Sequence, residues 1–120
     1  MIYRLAEAAD WQAALQSGFF ASADLAAEDF IHAAERHQVQ GVADRHYAGR
    51  AGLVLLAVDE ARLHATLRRE NTSGGTELFP HVYGPIPLAA VVAHAPLERD
   101  GAGTVRWPAG WCARGAPGTG

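Results

Sequence analysis

The sequence predicts a single α+β domain, a mixed β-sheet core with flanking helices, and three observations predict it. The chain has 120 residues, enough for one core of ordinary size and too few for two domains of usual length. Leu53–Val58 is an unbroken apolar run of strand length, the pattern of a central strand buried on both faces. Val39, Val42, Ala43, His46 and Tyr47 recur at the spacing of one helix face, which makes residues 35–47 the clearest amphipathic helix in the chain.

The remaining elements follow in order. Residues 2–5 form a short apolar strand, and residues 10–17 carry Trp11, Ala14 and Leu15 at helical spacing until Gly18 ends the helix. Residues 19–28 show no clean period and read as a surface loop, followed by a strand over 30–33. Gly41 weakens the helix of 35–47 only modestly. Asp59 to Leu63 reads as a helical turn, 66–69 as a further strand, and 71–76, with Ser73-Gly74-Gly75, as a flexible loop. Pro80, Gly84, Pro85 and Pro87 confine His81-Val82-Tyr83 to a short strand with defined limits. Residues 88–90 make one turn of helix and 91–97 the last strand. The globular domain is assigned to 1–97. Residues 98–120, rich in Gly and Pro, are assigned to a loosely attached or disordered tail in which Trp107 and Trp111 dock locally.

Composition narrows the function. Apolar content of 49% and a net charge of −3 fit a globular domain without the basic excess that binds a nucleic-acid backbone. No apolar run is long enough to span a membrane and the N-terminus lacks a signal pattern, so a cytoplasmic protein is expected. Cys112 is the single cysteine, which excludes an internal disulfide or a cysteine zinc cluster. All ten basic residues are arginine, so lysine-based covalent chemistry is absent and arginine is the available anion binder.

Two histidines stand out as candidate functional residues. His81 sits in a short apolar strand between prolines, and His32 ends the strand of 30–33, where side chains commonly face a cleft. His37, His46, His64 and His94 have no metal-like spacing and read as ordinary helix or strand residues. His32, His81 and Glu70 are metal-ligand types, but residue type is the sole argument for a metal and none is assigned. Ser73-Gly74-Gly75 lacks the lysine and helix start of a phosphate-binding loop. Glu77 reads as an exposed residue, and Glu70 as the partner of a nearby arginine.

Tyr3-Arg4, the passage from Asp24-Leu25-Ala26 to Phe30-Ile31-His32, Leu53 to Asp59, Leu67-Arg68 with Glu70, and Phe79-Pro80-His81-Val82-Tyr83-Gly84-Pro85 together resemble a small bacterial family, domain of unknown function 952, over residues 2 to about 97. That family is in turn distantly similar to the ADP-ribosyltransferase fold, especially its RNA 2′-phosphotransferase branch. The resemblance implies split, strongly bent sheets around a cleft that holds NAD or ADP-ribose. It places Arg4 at the first signature, His32 at the second and His81 at the third. The resembling sequences mostly carry histidine where this chain has Arg4, and often serine where it has Ala34. At the third signature, transferases usually carry a glutamate that holds a ribose hydroxyl and stabilises a cationic transition state. His81 cannot supply that charge, so glycosidic chemistry on NAD requires Glu70 or Glu77 to reach the site.

These residues imply a cleft in which Tyr3, Arg4 and Arg68 bind a nucleotide or phosphorylated small molecule and His32 and His81 are the catalytic pair; NAD as a cofactor is what the resemblance alone implies. Three readings are open: a transferase, a catalytically silent module that binds a nucleotide-like metabolite, and an interaction domain in which the histidines are structural. The partner in the first two is a small ligand, with neither membrane nor nucleic acid involved.

Overall fold

The structure, a computed structural model, describes residues 1–111. The chain runs β1 (Ile2–Glu7), α1 (Ala8–Ser17), β2 (Phe19–Phe20), α2 (Ala23–Glu28), β3 (Ile31–His32), a 3₁₀ turn (Arg36–Gln38) leading into α3 (Val39–His46), β4 (Leu53–Val58), a 3₁₀ turn (Glu60–Arg62), β5 (Leu67–Glu70), β6 (Phe79–Val82), β7 (Ile86–Pro87), a 3₁₀ turn (Leu88–Ala90), β8 (Val91–Pro96), β9 (Glu98–Arg99) and β10 (Val105–Arg106).

β4 lies in the middle of a three-stranded sheet ordered β1-β4-β8, and its alternate side chains enter two different cores. Leu56 and Val58 join Ile2, Trp11, Phe20, Ile31, Val82 and Ile86 on one side; Leu55 and Ala57 join Leu5, Val39, Ala43, Val105 and Trp111 on the other. That double burial is why an uninterrupted apolar run was selected there. A second three-stranded sheet, β3-β6-β5, stands beside the first. The two meet at one bridge, where Tyr3 and Ala34 exchange backbone hydrogen bonds of 2.8 Å each. The space between them is the cleft described below.

α3 packs through Val39 and Ala43, both buried, with Val42 and Tyr47 half-buried beside them. α1 ends at Gly18, whose φ of 89° lets its N–H bond the Ala14 carbonyl at 2.9 Å.

Three expectations are corrected. Every strand pairing among the described residues is antiparallel, so the core is not a mixed sheet. Residues 19–28 are not a loop: β2 pairs with β7, and α2 follows. With only six residues, α2 is too short to display a helical period, which hid it. The stretch after residue 97 also differs, because β9 and β10 form an antiparallel hairpin and Val105 and Trp111 are buried in the second core. Trp107 and Trp111 dock as expected, but onto Tyr3, with ring centroids at 5.1 and 6.3 Å. The rest of the predicted tail, with Cys112, lies outside the described residues. No helix among the described residues is long and apolar enough to cross a membrane.

Candidate functional site

His32 and His81 are opposite one another in the β3–β6 ladder, and Arg68 of β5 is the partner of His81 on its other side. Residues directly opposite share a face, and so do residues two apart along a strand. The register therefore gathers Phe30, His32, Arg68, Glu70, His81 and Tyr83 on the face away from the core residues Ile31 and Val82. The two imidazole rings lie 5.2 Å apart in an edge-to-face arrangement. Phe30 stacks on His81 at 4.1 Å and touches His32 at 4.8 Å, so both rings are held against one aromatic surface.

Each histidine has its own carboxylate. His32 Nδ1 is 3.0 Å from Asp24 Oδ2, and His81 Nδ1 is 3.0 Å from Glu70 Oε1. The pairs differ in depth: His81 is 2% exposed, whereas the His32 side chain is 44% exposed. His81 is the inner histidine and His32 the outer one. Glu28 also approaches His32, at 3.8 Å.

Asp24 receives more than one imidazole. Arg4 Nη1 donates to its Oδ2 at 2.8 Å, the His32 N–H donates to the same oxygen at 2.8 Å, and the Ser22 hydroxyl bonds Oδ1. Burial works against the charged form of Asp24, but the hydrogen bonds from His32 and the positive charge of Arg4 prevail and hold its carboxyl far below the usual carboxylate range. The Tyr83 hydroxyl bonds Glu70 Oε1 and, with His81, holds the Glu70 carboxyl below its ordinary value; the same bond raises the Tyr83 phenol.

The cleft has a volume of about 840 Å³, and its lining includes Arg4, Asp24, His32, Glu70 and His81 at the histidine end and Leu5, Val42, Arg45 and Tyr47 at the other. Glu77 lines it as well, with its carboxylate taken by Gln38 Nε2 at 3.0 Å. Arg4 is less available to an anion than expected, since Nη1 is committed to Asp24 and to the His32 carbonyl at 2.9 Å. Its Nε is buried without a hydrogen bond among the described residues, as is the Tyr3 hydroxyl. Tyr3 alternates with Arg4 along β1, so its side chain joins the second core, and from there it also lines the cleft. Arg68 is exposed, with its guanidinium 5.4 Å from the Tyr83 ring centre, and does not line the cleft. Glu70 pairs with His81 and Tyr83, not with an arginine.

Sequence reasoning did not select Asp24, Phe30 and Tyr83 as site residues. Phe30 and Tyr83 carried a readable signal, each lying two residues from a chosen histidine and hence on the same strand face. Asp24, on α2, carried none beyond its charge. Among the described residues no group of three His, Cys, Asp or Glu side chains is arranged to hold a metal ion.

A model of the family described as protein of unknown function, DUF952, matches residues 5–94. The chain belongs to the DUF952 family. Asp24, His32, Glu70, His81 and Tyr83 fall within the matched residues; Tyr3 and Arg4 precede them, and the β9–β10 hairpin follows. This DUF952 chain is similar to the crystal structure of protein CC0527 from Caulobacter crescentus, with 38% identity, a TM-score of 0.76, and coverage of 88% of this chain and 92% of that one. The solution NMR structure of CC0527 is similar as well, at 39% identity and a TM-score of 0.72, covering 87% and 89%. No curated protein matches the chain.

Proposed function

We propose that this DUF952 protein is a cytoplasmic transferase of ADP-ribosyltransferase-like plan, which binds a nucleotide or another phosphorylated small molecule in the cleft and handles protons on it with His32 and His81. The observation that carries the reading is the pair of histidine–carboxylate couples side by side on one sheet face. A carboxylate on Nδ1 fixes the ring and leaves Nε2 to meet a ligand, as a base while unprotonated and as an acid once charged. Rings 5.2 Å apart can serve two neighbouring atoms of one ligand, one taking a proton from an attacking hydroxyl while the other gives one to a leaving group. Two sheets joined at a single bridge, with a cleft between them, support the plan.

The size of the cleft suits a nucleotide such as NAD or ADP-ribose. The cations fit less well, because Arg4 is committed to Asp24 and Arg68 stands outside. Charge for a phosphate therefore comes from Arg45 in the wall, and the imidazoles add hydrogen bonds. The test is a thermal-shift series with NAD, ADP-ribose and nucleotide phosphates, followed by assays of turnover of whichever binds. A bound ligand raises the melting temperature, and His81→Ala and His32→Ala each cut turnover by about a hundredfold or more. Binding with no turnover in the unaltered protein overturns the enzymatic part; no shift with any of them overturns the ligand class.

A further inference from the structure

We infer that Tyr83 is a positioning residue: its hydroxyl clamps the Glu70 carboxylate against His81, so that the inner histidine keeps its ring hydrogen on Nδ1 and its lone pair on Nε2. The consequence for a reaction rests on the reading of the two histidines as proton carriers; the position of the ring hydrogen does not. The inference arises from a difference in how the two histidine–carboxylate couples are built. Asp24 is pinned by the charged Arg4 guanidinium, a backbone N–H and the Ser22 hydroxyl in addition to the His32 ring. No arginine bonds Glu70 among the described residues. Apart from His81 Nδ1, at 3.0 Å, its side-chain donor is the Tyr83 hydroxyl, and both meet the same oxygen, Oε1. A glutamate side chain that is 28% exposed has other rotamers open to it. One neutral hydroxyl thus does for the inner couple what Arg4 does for the outer. Tyr83 is itself held in place: its backbone N–H donates to the Thr66 carbonyl at 2.8 Å, its ring lies 5.3 Å from that of Phe30, and the Arg68 guanidinium stands 5.4 Å from its centre.

The chemistry of the donors sets the tautomer. The bond from Tyr83 helps to keep Glu70 ionised, and an ionised carboxylate only accepts, so the ring nitrogen that meets it must carry hydrogen. A neutral His81 is therefore the Nδ1–H form. A proton taken from a ligand hydroxyl lands on Nε2, Nδ1 keeps its hydrogen, and the Glu70 carboxylate faces the positive charge that the ring gains. Without the clamp Glu70 turns toward solvent, Nδ1 loses its acceptor, and the hydrogen divides between the two nitrogens.

Long-range ¹H–¹⁵N correlation spectra of the labelled protein, without ligand and at a pH where the rings are neutral, read which nitrogen of each histidine bears hydrogen. His81 is expected to bear it on Nδ1 in the unaltered protein and to exchange it between both nitrogens in Tyr83→Phe, with the His32 tautomer unchanged. For any nucleotide that the protein turns over, Tyr83→Phe lowers kcat about tenfold at unchanged KM, the size of one hydrogen bond. A merely structural tyrosine would lower the melting temperature and leave the tautomer alone. Hydrogen on Nε2 of His81 in the unaltered protein, an unchanged tautomer in the variant, or a changed tautomer with full kcat overturns the inference. Should Tyr83→Phe fail to melt cooperatively, replacement of the tyrosines by 3-fluorotyrosine, which keeps every ring and makes the hydroxyl a stronger donor, decides: a displaced His81 Nδ1 signal sustains the inference and an unmoved one ends it. Absence of turnover with every nucleotide counts against the transferase reading alone, because the spectra need no ligand.

Discussion

Asp24 is where the hydrogen bonds of the cleft converge, tying α2 to the Arg4 side chain of β1 and to His32 of β3. Removing one partner of a largely buried ion pair strands the other, so Asp24→Asn is expected to cost about 3 kcal/mol of unfolding free energy in urea titrations. Arg4→Ala is expected to cost a similar amount, instead of only weakening an anion, because it leaves Asp24 charged and unpaired. The titration has a defined sign. A carboxyl whose folded value lies below its ordinary one contributes stability that is fully present above the ordinary value and is lost as the pH falls through the folded one. The unaltered protein should therefore lose stability on acidification below about pH 4, more steeply than Asp24→Asn, and parallel curves would refute the assignment. His32 and His81 were singled out from the strand patterns around them, and the register sets them opposite one another, but the bond network around Asp24 joins three segments that no local pattern links.

Elements report their packing through single side chains. A Cβ on Gly84 would stand 2.7 Å from the Cβ of Ala65, so the chain leaving β6 can pass residue 65 only as glycine. Gly84→Ala is expected to destabilise by about 1 to 3 kcal/mol, the range for overpacking, and Ala65→Gly in the same chain should recover part of it. A double-mutant cycle with no coupling would show that the contact is not the cause. On α3, Val39 is buried and Val42 only half-buried, so Val39→Asp should abolish the cooperative thermal transition, while Val42→Asp should lower its midpoint less. β4 and α3 were readable because a doubly buried strand and an amphipathic helix write their environment into consecutive residues. α2 and the β9–β10 hairpin were not, since six helical residues and two-residue strands carry no period, and Gly and Pro around a hairpin look the same as those of a loose tail.

At the scale of the molecule, the hairpin of β9 and β10 and the tryptophans beside it cover the Tyr3 side of the first sheet. Trp111 is 9% exposed against Tyr3, and Trp111→Ala is expected to cost about 3 to 5 kcal/mol in chemical denaturation; a loss within experimental error would mean that this contact adds little. The overall α+β architecture was legible from the alternation of strand and helix patterns, whereas the two three-stranded sheets are joined by one bridge at Tyr3 and Ala34, which no periodicity announces. The pairing order also has a consequence in time. Ile2 meets Val58, and His32 meets His81, so each of the two sheets is closed by a strand synthesised long after its first. An apolar β1 and the buried Ile31 must wait, uncovered, for partners still to leave the ribosome. Such non-local topology places refolding on the order of milliseconds to seconds, measurable by stopped-flow, and makes the interval before β4 and then β6 emerge the period in which the nascent chain is most exposed to aggregation and most in need of a chaperone.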